Sequence, residues 1–530
     1  MKKTLLIVID ALASRVIRPA LESGRLPHLA LLAQAGEIAW NCTSVFPSIT
    51  PAATASIATG SYPGEHCITG MFHYDRDEDR VHYYGQDFWT VVAHKGMANF
   101  FEEFLVKMNS QRLRSETIFE RVERSARTAA SLNFLVFRGT QSHAASTPPL
   151  LRLLPGIPSQ VTLPGPANVT LGDFVAHSKD SEQHLDQPFF GGIANRFGFN
   201  DDATGEQLLQ LAEQGFPNFT LAYFPDNDFN SHELGPDRAV ETVVNVDQWI
   251  GRLVTQMGGV TELLRHLAIV VTGDHSQSDI GSDRTDAGID LTKVLQHCCL
   301  ATVGEPWCDE DDIMVCPNLR AAQVYLHPHS NFKFADLVDD LLAEPRVDQV
   351  IWRTLRENEN STYHVATADR GTLRFSPGAG SGAMTDAYGQ SWRVDGDLTA
   401  LAAAVDDDRR LTSAEYPNAF ERIALSFDAR FVGDFWVTAR PGYEFAESKS
   451  QVHAGGGSHS SLHVDDSTSP LIVAGAPSPV RIPDAPRIVD VAPICLACLG
   501  IDSPLVAGAS HLGQGRHAKE DPMLATTRQI

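Results

Sequence analysis

The chain has 530 residues, of which 43% are hydrophobic and 20% are charged, and its formal net charge is −24. These proportions are typical of a globular protein with a large core, and the length favours more than one lobe. The strong negative charge argues against nucleic acid as a partner, because nucleic-acid binding requires basic surface. An anionic substrate would need a local positive charge. The sequence shows no basic cluster, so we expect a bound metal ion to supply it.

The first residues do not resemble a secretory signal. The apolar run after Lys3 is short, and Asp10 and Arg15 interrupt it without a small-residue cleavage site. No stretch reaches membrane-spanning length. Eight cysteines in a chain of this length do not indicate a disulfide framework. We therefore expect a cytoplasmic protein.

Five apolar runs have the length of strands and end at polar residues. In chain order they are Leu5–Ile9, Leu132–Phe137, Phe219–Phe224, Leu267–Val271 and Leu471–Ala474. Continuous apolar strands are typical of a parallel sheet that is covered on both faces. Helical periodicity lies between them, for example over residues 239–257 and 489–499. This alternation predicts an α/β fold with a doubly wound, mostly parallel sheet and helices on both faces.

Two regions interrupt that alternation and predict the domain organisation. Residues 75–195 read as a lid-like insertion, and its Pro/Leu-rich part, 148–166, reads as a surface loop. Residues 301–449 read as a smaller inserted α+β lobe, with strands expected at 321–326, 347–352, 363–368 and 372–375 and a helix at 334–342. The α/β core would then consist of residues 1–300 and 450–530, the latter ending in a polar tail.

A helix is expected to begin near Thr50. Thr50 precedes Pro51, and a run of small residues follows as far as Gly60. Threonine is a good N-cap, proline suits the first helical position, and glycine suits the position after the end. The start of a helix can hold a phosphate group, and a hydroxyl there could attack one. On this stretch alone the simpler interpretation is that Thr50 is only a cap, since caps are far commoner than nucleophiles.

Carboxylate and imidazole side chains recur where the predicted strands end. These residues are Asp10, Asp228, His232, Asp274, His275 and His459. The carboxyl ends of strands are the edge at which ligands bind in open α/β sheets. Any one of these residues could be a turn or cap residue, but together with Thr50 they can form two divalent-metal sites with oxygen and nitrogen ligands. Other histidines, including His66, His73, His266 and His453, are interpreted as surface or core residues.

These motifs resemble those of the alkaline phosphatase superfamily, and within it the nucleotide pyrophosphatase/phosphodiesterase branch. The resemblance spans nearly the whole chain and includes residues 46–66, 228–236, 273–275 and 459–462. It implies two metal ions, zinc or alternatively manganese. One ion would be held by Asp10, Thr50, Asp274 and His275, and the other by Asp228, His232 and His459. It also implies that Thr50 is the nucleophile.

The chain departs from the branch at positions that bind nucleotides. Pro51 replaces an aromatic residue that stacks on a nucleobase, and Met71 replaces an asparagine that holds a phosphate oxygen. Met71 is therefore the candidate substrate-binding position. The resemblance implies a small-molecule phosphate ester as substrate, with hydrolysis of diesters through a phospho-threonine. A phosphomonoesterase or phosphonate hydrolase with the same site, and a metal-stabilised binding protein without catalysis, are the alternatives. The sequence leaves the oligomeric state open.

Overall fold

The structure is a computed structural model, and it describes residues 2–84, 101–146, 158–178, 196, 198–302, 306–330, 332–355, 361–446, 451–503, 508–509 and 511. The strands of the amino-terminal half are β1 (Lys3–Ile9), β2 (Gly36–Thr43), β3 (Phe72–Asp75), β4 (Arg80–Tyr83), β5 (Ala129–Leu132), β6 (Gln141–Ser146), β7 (Gln160–Gly165), β8 (Asn168–Leu171), β9 (Val175–Ser178), β10 (Phe219–Phe224), β11 (Leu267–Thr272), β12 (Ser278–Asp279) and β13 (Gly288–Ile289). The remaining strands are β14 (Ile313–Asn318), β15 (Ala321–Leu326), β16 (Val347–Thr354), β17 (Thr362–Ala366), β18 (Thr372–Pro377), β19 (Met384–Thr385), β20 (Ser391–Gly396), β21 (Ala403–Val405), β22 (Leu411–Ser413), β23 (Phe435–Ala439), β24 (Glu444–Phe445), β25 (Gly457–Ser458) and β26 (Thr468–Ala474).

The α-helices are α1 (Ser14–Glu22), α2 (Pro27–Gln34), α3 (Thr50–Thr59), α4 (Pro63–His66), α5 (Ile118–Arg124), α6 (Asp201–Gln214), α7 (Asp226–Leu234), α8 (Val240–Gln256), α9 (Val260–His266), α10 (Arg284–Ala287), α11 (Leu291–Val294), α12 (Phe334–Ala343), α13 (Ala419–Phe427), α14 (Val464–Ser467) and α15 (Val491–Leu499). A π-helix covers Phe101–Arg112, and short 3₁₀ helices cover Leu398–Leu401 and Ile488–Asp490.

The main sheet has eight strands in the order β2-β26-β11-β1-β10-β5-β8-β9. The central strands β11, β1, β10, β5 and β8 are parallel to one another, whereas β26 and β9 run antiparallel to their neighbours. Successive residues of β1 enter different cores: Leu6 and Val8 pack on one face, and Leu5 and Ile7 on the other. Helices α3, α5 and α15 cover the first face, and α1, α2, α6 and α8 cover the second. The predicted α/β fold with a mostly parallel sheet and helices on both faces is therefore confirmed.

A second eight-stranded sheet lies between residues 313 and 439, in the order β14-β15-β23-β16-β17-β18-β20-β19, with every pairing antiparallel. Helix α12 packs on β16. The elements predicted from the sequence at 321–375 all occur here, with ends shifted by at most two residues. The division of the chain into domains near residues 300 and 450 stays a prediction.

Two predictions about residues 75–195 need correction. Strands β5, β8 and β9 fall in this range and belong to the main sheet, so this part of the range is not a separate lid. The stretch 148–166 is not one loop either, because Gln160–Gly165 forms strand β7 paired with β6. Residues 147–157 lie outside the described residues.

The strand predicted at Leu132–Phe137 is also misplaced. Strand β5 ends at Leu132, because Asn133 adopts a left-handed conformation with φ 57°. The side chain of Asn133 donates to the hydroxyl of Thr204 at 2.9 Å. Residues Phe134 to Phe137 are buried but do not form a strand. The apolar run therefore indicates burial and not secondary structure.

Candidate metal centre

The side chain of Thr50 lies at the start of α3 and points towards His275. Ile49 is extended, the helix begins at Thr50 with Pro51 in its first turn, and Gly60 at φ 69° ends it. Thr50 is therefore the first helical residue and not the N-cap, which is Ile49. Its Oγ1 atom is 3.0 Å from Nε2 of His275, and both side chains are buried. This hydroxyl is thus free of the capping role that the sequence suggested.

Asp10, Asp274 and His275 form the first group of candidate metal ligands. Asp10 follows β1 and Asp274 follows β11, two neighbouring parallel strands whose ends meet at one edge. Nε2 of His275 is 3.5 Å from Oδ1 of Asp10 and 3.6 Å from Oδ2 of Asp274. One potential ligand atom from each of the three residues lies within 4.8 Å of the other two. With Thr50 this is the first ligand set that the family resemblance implies.

Asp228, His232 and His459 lie beside that group. Oδ1 of Asp228 is 3.6 Å from Nε2 of His459, and Oδ2 is 3.5 Å from Nε2 of His232. Asp228 and His232 are one turn apart on α7, so both face the same side of the helix. The ring of His459 stacks on that of His275 with centroids 3.9 Å apart, which joins the two groups. All seven residues predicted as ligands are therefore brought together.

Four ligand atoms of this centre are buried without a hydrogen-bond partner among the described residues: Oδ1 of Asp10, Oδ2 of Asp274, and Nε2 of His232 and His459. Buried polar atoms are normally hydrogen-bonded, because leaving one unpaired costs about 1–3 kcal/mol. Bound cations would satisfy all four atoms at once. Carboxylate oxygens and imidazole nitrogens without thiolates are a donor set that suits catalytic zinc. The residues present therefore fit divalent metal ions.

The second nitrogen of each imidazole is held by a backbone carbonyl. Nδ1 of His232 bonds O of Gly457 at 2.8 Å, and Nδ1 of His459 bonds O of Ser48 at 2.9 Å. Nδ1 of His275 lies 3.1 Å from O of Ser276. A carbonyl can only accept, so each Nδ1 carries the proton and each Nε2 presents its lone pair. Fixing the tautomer in this way is usual for histidine ligands of metals.

Hydrogen bonds from other residues also orient the carboxylates of the centre. The hydroxyl of Tyr223 donates to Oδ2 of Asp10. Nε2 of Gln277 donates to Oδ1 of Asp228 at 2.5 Å. The backbone N–H groups of Ala11 and His275 donate to Oδ1 of Asp274 at 3.2 and 3.0 Å. These contacts leave Oδ1 of Asp10 and Oδ2 of Asp274 facing the centre.

Burial sets the ionisation of these groups. It raises the pKa of Asp10 well above its usual value, and the nearby charges of Asp274 and Asp228 raise it further. Burial likewise raises the pKa of Asp228 and of Asp274. It lowers the pKa of His232 and of His459 well below the usual value. A positive charge between these side chains would offset the cost of burying ionised carboxylates. A neutral imidazole can bind a cation through its lone pair, so the lowered pKa values of the histidines also fit a bound cation.

Sequence reasoning did not identify His453 at this site. Its ring centroid is 4.3 Å from that of the ligand His232, and its Nδ1 atom is 3.0 Å from Oε2 of the buried Glu444. Tyr223 and Gln277 were missed as well. Tyr223 lies in a continuous apolar strand, where its hydroxyl gives no signal, and Gln277 follows the Asp274–His275 pair without a motif of its own.

Met71 is buried in the hydrophobic cluster of the main sheet that also contains Ile49 and Ala52. Its backbone N–H donates to Oδ1 of Asn318 at 2.8 Å, and its carbonyl accepts from the N–H of Tyr84. These contacts are structural. A role for Met71 in substrate binding stays a prediction.

A third group, Asp75, Glu78 and His82, also has the spacing of metal ligands. Arg112 lies 3.2 Å from Oδ2 of Asp75 and 2.7 Å from Oε1 of Glu78. Because a guanidinium already neutralises these carboxylates, we interpret the group as a partly buried ion-pair network.

The chain is similar to known proteins in sequence and in fold. The model of the type I phosphodiesterase / nucleotide pyrophosphatase family matches residues 4–462. The structure is similar to two crystal structures of phosphonoacetate hydrolase from Sinorhizobium meliloti 1021. The complex with phosphonoformate aligns with a TM-score of 0.54 and 16% identity, and the complex with phosphonoacetate with a TM-score of 0.55 and 15% identity. Each alignment covers 94% of this chain and 96% of the other. At this identity the likeness establishes the fold alone.

No curated protein sequence matches the chain. Within the described residues, no helix is both long enough and apolar enough to cross a lipid bilayer.

Proposed function

The chain belongs to the type I phosphodiesterase / nucleotide pyrophosphatase family, and on this basis we propose that it hydrolyses phosphate diesters through Thr50 at a site for two divalent metal ions, most simply zinc. The family and its structural neighbours support a hydrolase of phosphate esters or phosphonates. The number of metals, their identity and the covalent route through Thr50 are our proposal.

One observation carries it: the hydroxyl of Thr50 lies 3.0 Å from a ligand nitrogen of His275, beside four buried ligand atoms for which the described part of the chain supplies no hydrogen-bond partner. A threonine hydroxyl is a weak nucleophile at neutral pH and needs activation. Metal ions bound here would supply it, by acting as Lewis acids on the attacking and leaving oxygens. Asp10 and Asp274 would hold one ion together with His275, and Asp228, His232 and His459 would hold the other.

The residues of the chain set the course of the reaction. The proton of the Thr50 hydroxyl passes to solvent and Oγ1 attacks phosphorus, which forms a Thr50–phosphoryl bond and breaks the bond to the leaving oxygen; the departing oxygen takes a proton from solvent. Water then attacks the same phosphorus, its oxygen stays on the phosphate, and one of its protons returns Oγ1 of Thr50 to the hydroxyl. The hydrogen bonds from Nδ1 of the three histidines keep the ligand nitrogens aimed at the centre through both steps.

The charge of the site favours diesters over monoesters. Two divalent ions and the three aspartates would leave one positive charge in excess, which ionised Thr50 would cancel. A diester brings one negative charge at the reacting phosphoryl group, and a monoester brings nearly two. Among the described residues, no arginine or lysine forms an ion pair with Asp10 or Asp274. Arg196, whose charge acts on Asp228, is itself paired with Asp226, so it has little charge to spare for a second negative charge on the substrate.

Phosphonate hydrolysis is the second candidate. The observation that favours it is the overall similarity to phosphonoacetate hydrolase across 94% of the chain. Pro51 and Met71 stand where the nucleotide pyrophosphatase/phosphodiesterase branch has residues that contact the nucleotide. A diester substrate therefore need not be a nucleotide.

The test compares kcat/KM for bis(p-nitrophenyl) phosphate, a p-nitrophenyl nucleotide, p-nitrophenyl phosphate and phosphonoacetate, on wild-type protein loaded with zinc and on Thr50→Ala as the background. The proposal expects the highest kcat/KM for a diester. A preference for p-nitrophenyl phosphate or phosphonoacetate would contradict the proposed substrate class, but it would not contradict the roles proposed for Thr50 and the metal ligands. Binding of phosphate without turnover of any ester would identify a binding protein and overturn the proposal.

A further inference from the structure

Arg422 is a buried cation that contacts two segments of the metal centre. It lies on α13, which precedes strand β23 of the second sheet, and it has no solvent exposure. Nη2 donates to the carbonyl of Val45 at 3.0 Å and to the hydroxyl of Ser467 at 2.7 Å. Nη1 donates to the carbonyl of Leu462 at 3.0 Å. Longer contacts of 3.1 and 3.5 Å reach the carbonyls of Pro417 and Ser461.

Three of these carbonyls belong to the two segments that carry reacting groups. Val45 lies five residues before Thr50. Ser461 and Leu462 lie two and three residues after His459. We name these the nucleophile segment (residues 45–50) and the His459 segment (residues 459–462). A single guanidinium therefore bonds backbone atoms of both.

The two segments also touch each other through Ser48. The hydroxyl of Ser48 donates to O of Ser461 at 2.8 Å, and its N–H donates to O of Ser460 at 3.3 Å. The carbonyl of Ser48 accepts from Nδ1 of His459 at 2.9 Å. The placement of His459 thus depends directly on the path of the nucleophile segment.

All five acceptors of Arg422 are neutral oxygens. Burial lowers the pKa of Arg422 to about 10, so that the side chain remains a cation at neutral pH. Burying a cation without a bonded carboxylate is costly, and an apolar side chain of similar volume often packs at least as stably. The planar guanidinium, however, reaches several carbonyls in fixed directions, which neither lysine nor an apolar residue can do. The contacts therefore point to geometry, and not to stability, as its role.

We propose that Arg422 is a positioning residue of the reaction: its guanidinium holds the nucleophile segment against the His459 segment and so fixes Thr50 relative to the second group of metal ligands. The inference rests on the proposed function, because the distance between Thr50 and His459 matters only if Thr50 is the nucleophile and His459 is a metal ligand. It also gives the region of the second sheet a part in positioning the reacting groups, since Arg422 extends from α13 to the two segments.

The experiment compares Arg422→Lys with Arg487→Lys. Arg487 is the matched control, because it is equally buried and also contacts α13, through Glu421 at 2.9 Å, but its hydrogen bonds go to Glu421, Asp490 and Ala509 and to neither segment. For each protein we would measure the unfolding midpoint, the stepwise affinity for zinc, and kcat and KM per metal-loaded molecule.

We expect Arg422→Lys to lower kcat and the affinity for the more weakly held zinc by about 10- to 100-fold, as is usual when a supporting contact of a metal ligand is lost, with KM changed less than threefold. Arg487→Lys should lower the unfolding midpoint while kcat stays within about twofold. A purely structural role of Arg422 would give both variants the same pattern, and that outcome would overturn the inference.

If Arg422→Lys does not fold, Ser467→Ala decides, because it removes one acceptor of the guanidinium without changing the charge. It should lower kcat several-fold, and an unchanged kcat and zinc affinity in Ser467→Ala would then count against the inference. Wild-type protein that binds no zinc and turns over no ester would instead contradict the proposed function, so the two failures are distinguishable.

Discussion

Oγ1 of Thr50 and Nε2 of His275 lie 3.0 Å apart, although the two residues are separated by 225 positions in the chain. Helix α3 presents the hydroxyl at its first residue, and the end of β11 presents the imidazole. Because Nδ1 of His275 bonds a backbone carbonyl, its Nε2 faces the hydroxyl and the carboxylates as a lone-pair donor. This contact places the proposed nucleophile within the ligand set.

Replacement of Thr50 by alanine should lower kcat by several orders of magnitude, since a nucleophile and its activating groups act as a unit. Thr50→Ser should retain part of the rate. Neither change should affect the unfolding free energy by more than about 1 kcal/mol, because Ile49, and not Thr50, is the N-cap of α3. Steady-state kinetics on folded, zinc-loaded variants are the measurement. Near-wild-type kcat in Thr50→Ala would remove Thr50 from the mechanism.

Removal of bound metal should abolish activity and lower thermal stability together. Four buried ligand atoms have no hydrogen-bond partner in the part of the chain that the structure describes, so metal binding should favour the folded state by mass action. Extensive chelation followed by stepwise addition of zinc should raise the unfolding temperature and kcat in parallel, with manganese restoring part of the rate. Full activity in protein shown by elemental analysis to be metal-free would contradict the metal sites.

Tyr223→Phe should weaken the first ligand group without unfolding the protein. The change removes the hydroxyl that orients Asp10, and such losses typically cost about 10- to 100-fold in metal affinity or activity. Tyr416→Phe is a matched control, since Tyr416 is equally buried and its hydroxyl donates to Asp348 at 2.8 Å, far along the chain from the ligands. Zinc titrations of both variants are the measurement. Equal zinc affinities in Tyr223→Phe and the wild type would show that this hydroxyl does not support Asp10.

Part of the candidate ligand set could be predicted because it follows from topology, whereas its division into two metal sites was implied by the family resemblance. Parallel strands place their carboxyl ends at one edge, so polar residues after β1, β10 and β11 had to meet there. The supporting contacts could not be predicted in this way. Arg422 reaches Val45 across 377 positions and Ser461 across 39, and no periodicity or motif marks such a contact. The strand expected at Leu132–Phe137 was wrong for a related reason, since burial of an irregular segment produces the same apolar run as a strand.

The pair of Glu421 and Arg487 should give the protein an acid-sensitive stability. Burial raises the pKa of Glu421, but the charge of Arg487 at 2.9 Å and the bond from Asn418 outweigh it, so the pKa lies below its usual value. A depressed folded-state pKa contributes stability above the unfolded-state pKa of about 4.3, and this contribution is lost as the pH falls through the folded-state value.

Glu421→Gln should therefore unfold more easily at neutral pH, by about 3 kcal/mol, because it leaves the buried Arg487 with one carboxylate fewer. The difference between variant and wild type should shrink as the pH falls below about 4. Urea unfolding of both proteins at pH values on either side of that range is the measurement. A difference that does not depend on pH would contradict the assignment to this ion pair.

The covalent route through Thr50 is the central claim, and the stereochemical course at phosphorus tests it most directly. A chiral phosphorothioate diester of known configuration would be hydrolysed by the zinc-loaded enzyme in heavy-oxygen water, and the configuration of the product determined. Attack by Thr50 followed by attack by water inverts phosphorus at each step, so the account predicts net retention. Net inversion would show that water attacks the substrate directly, and it would contradict a phosphorylated Thr50.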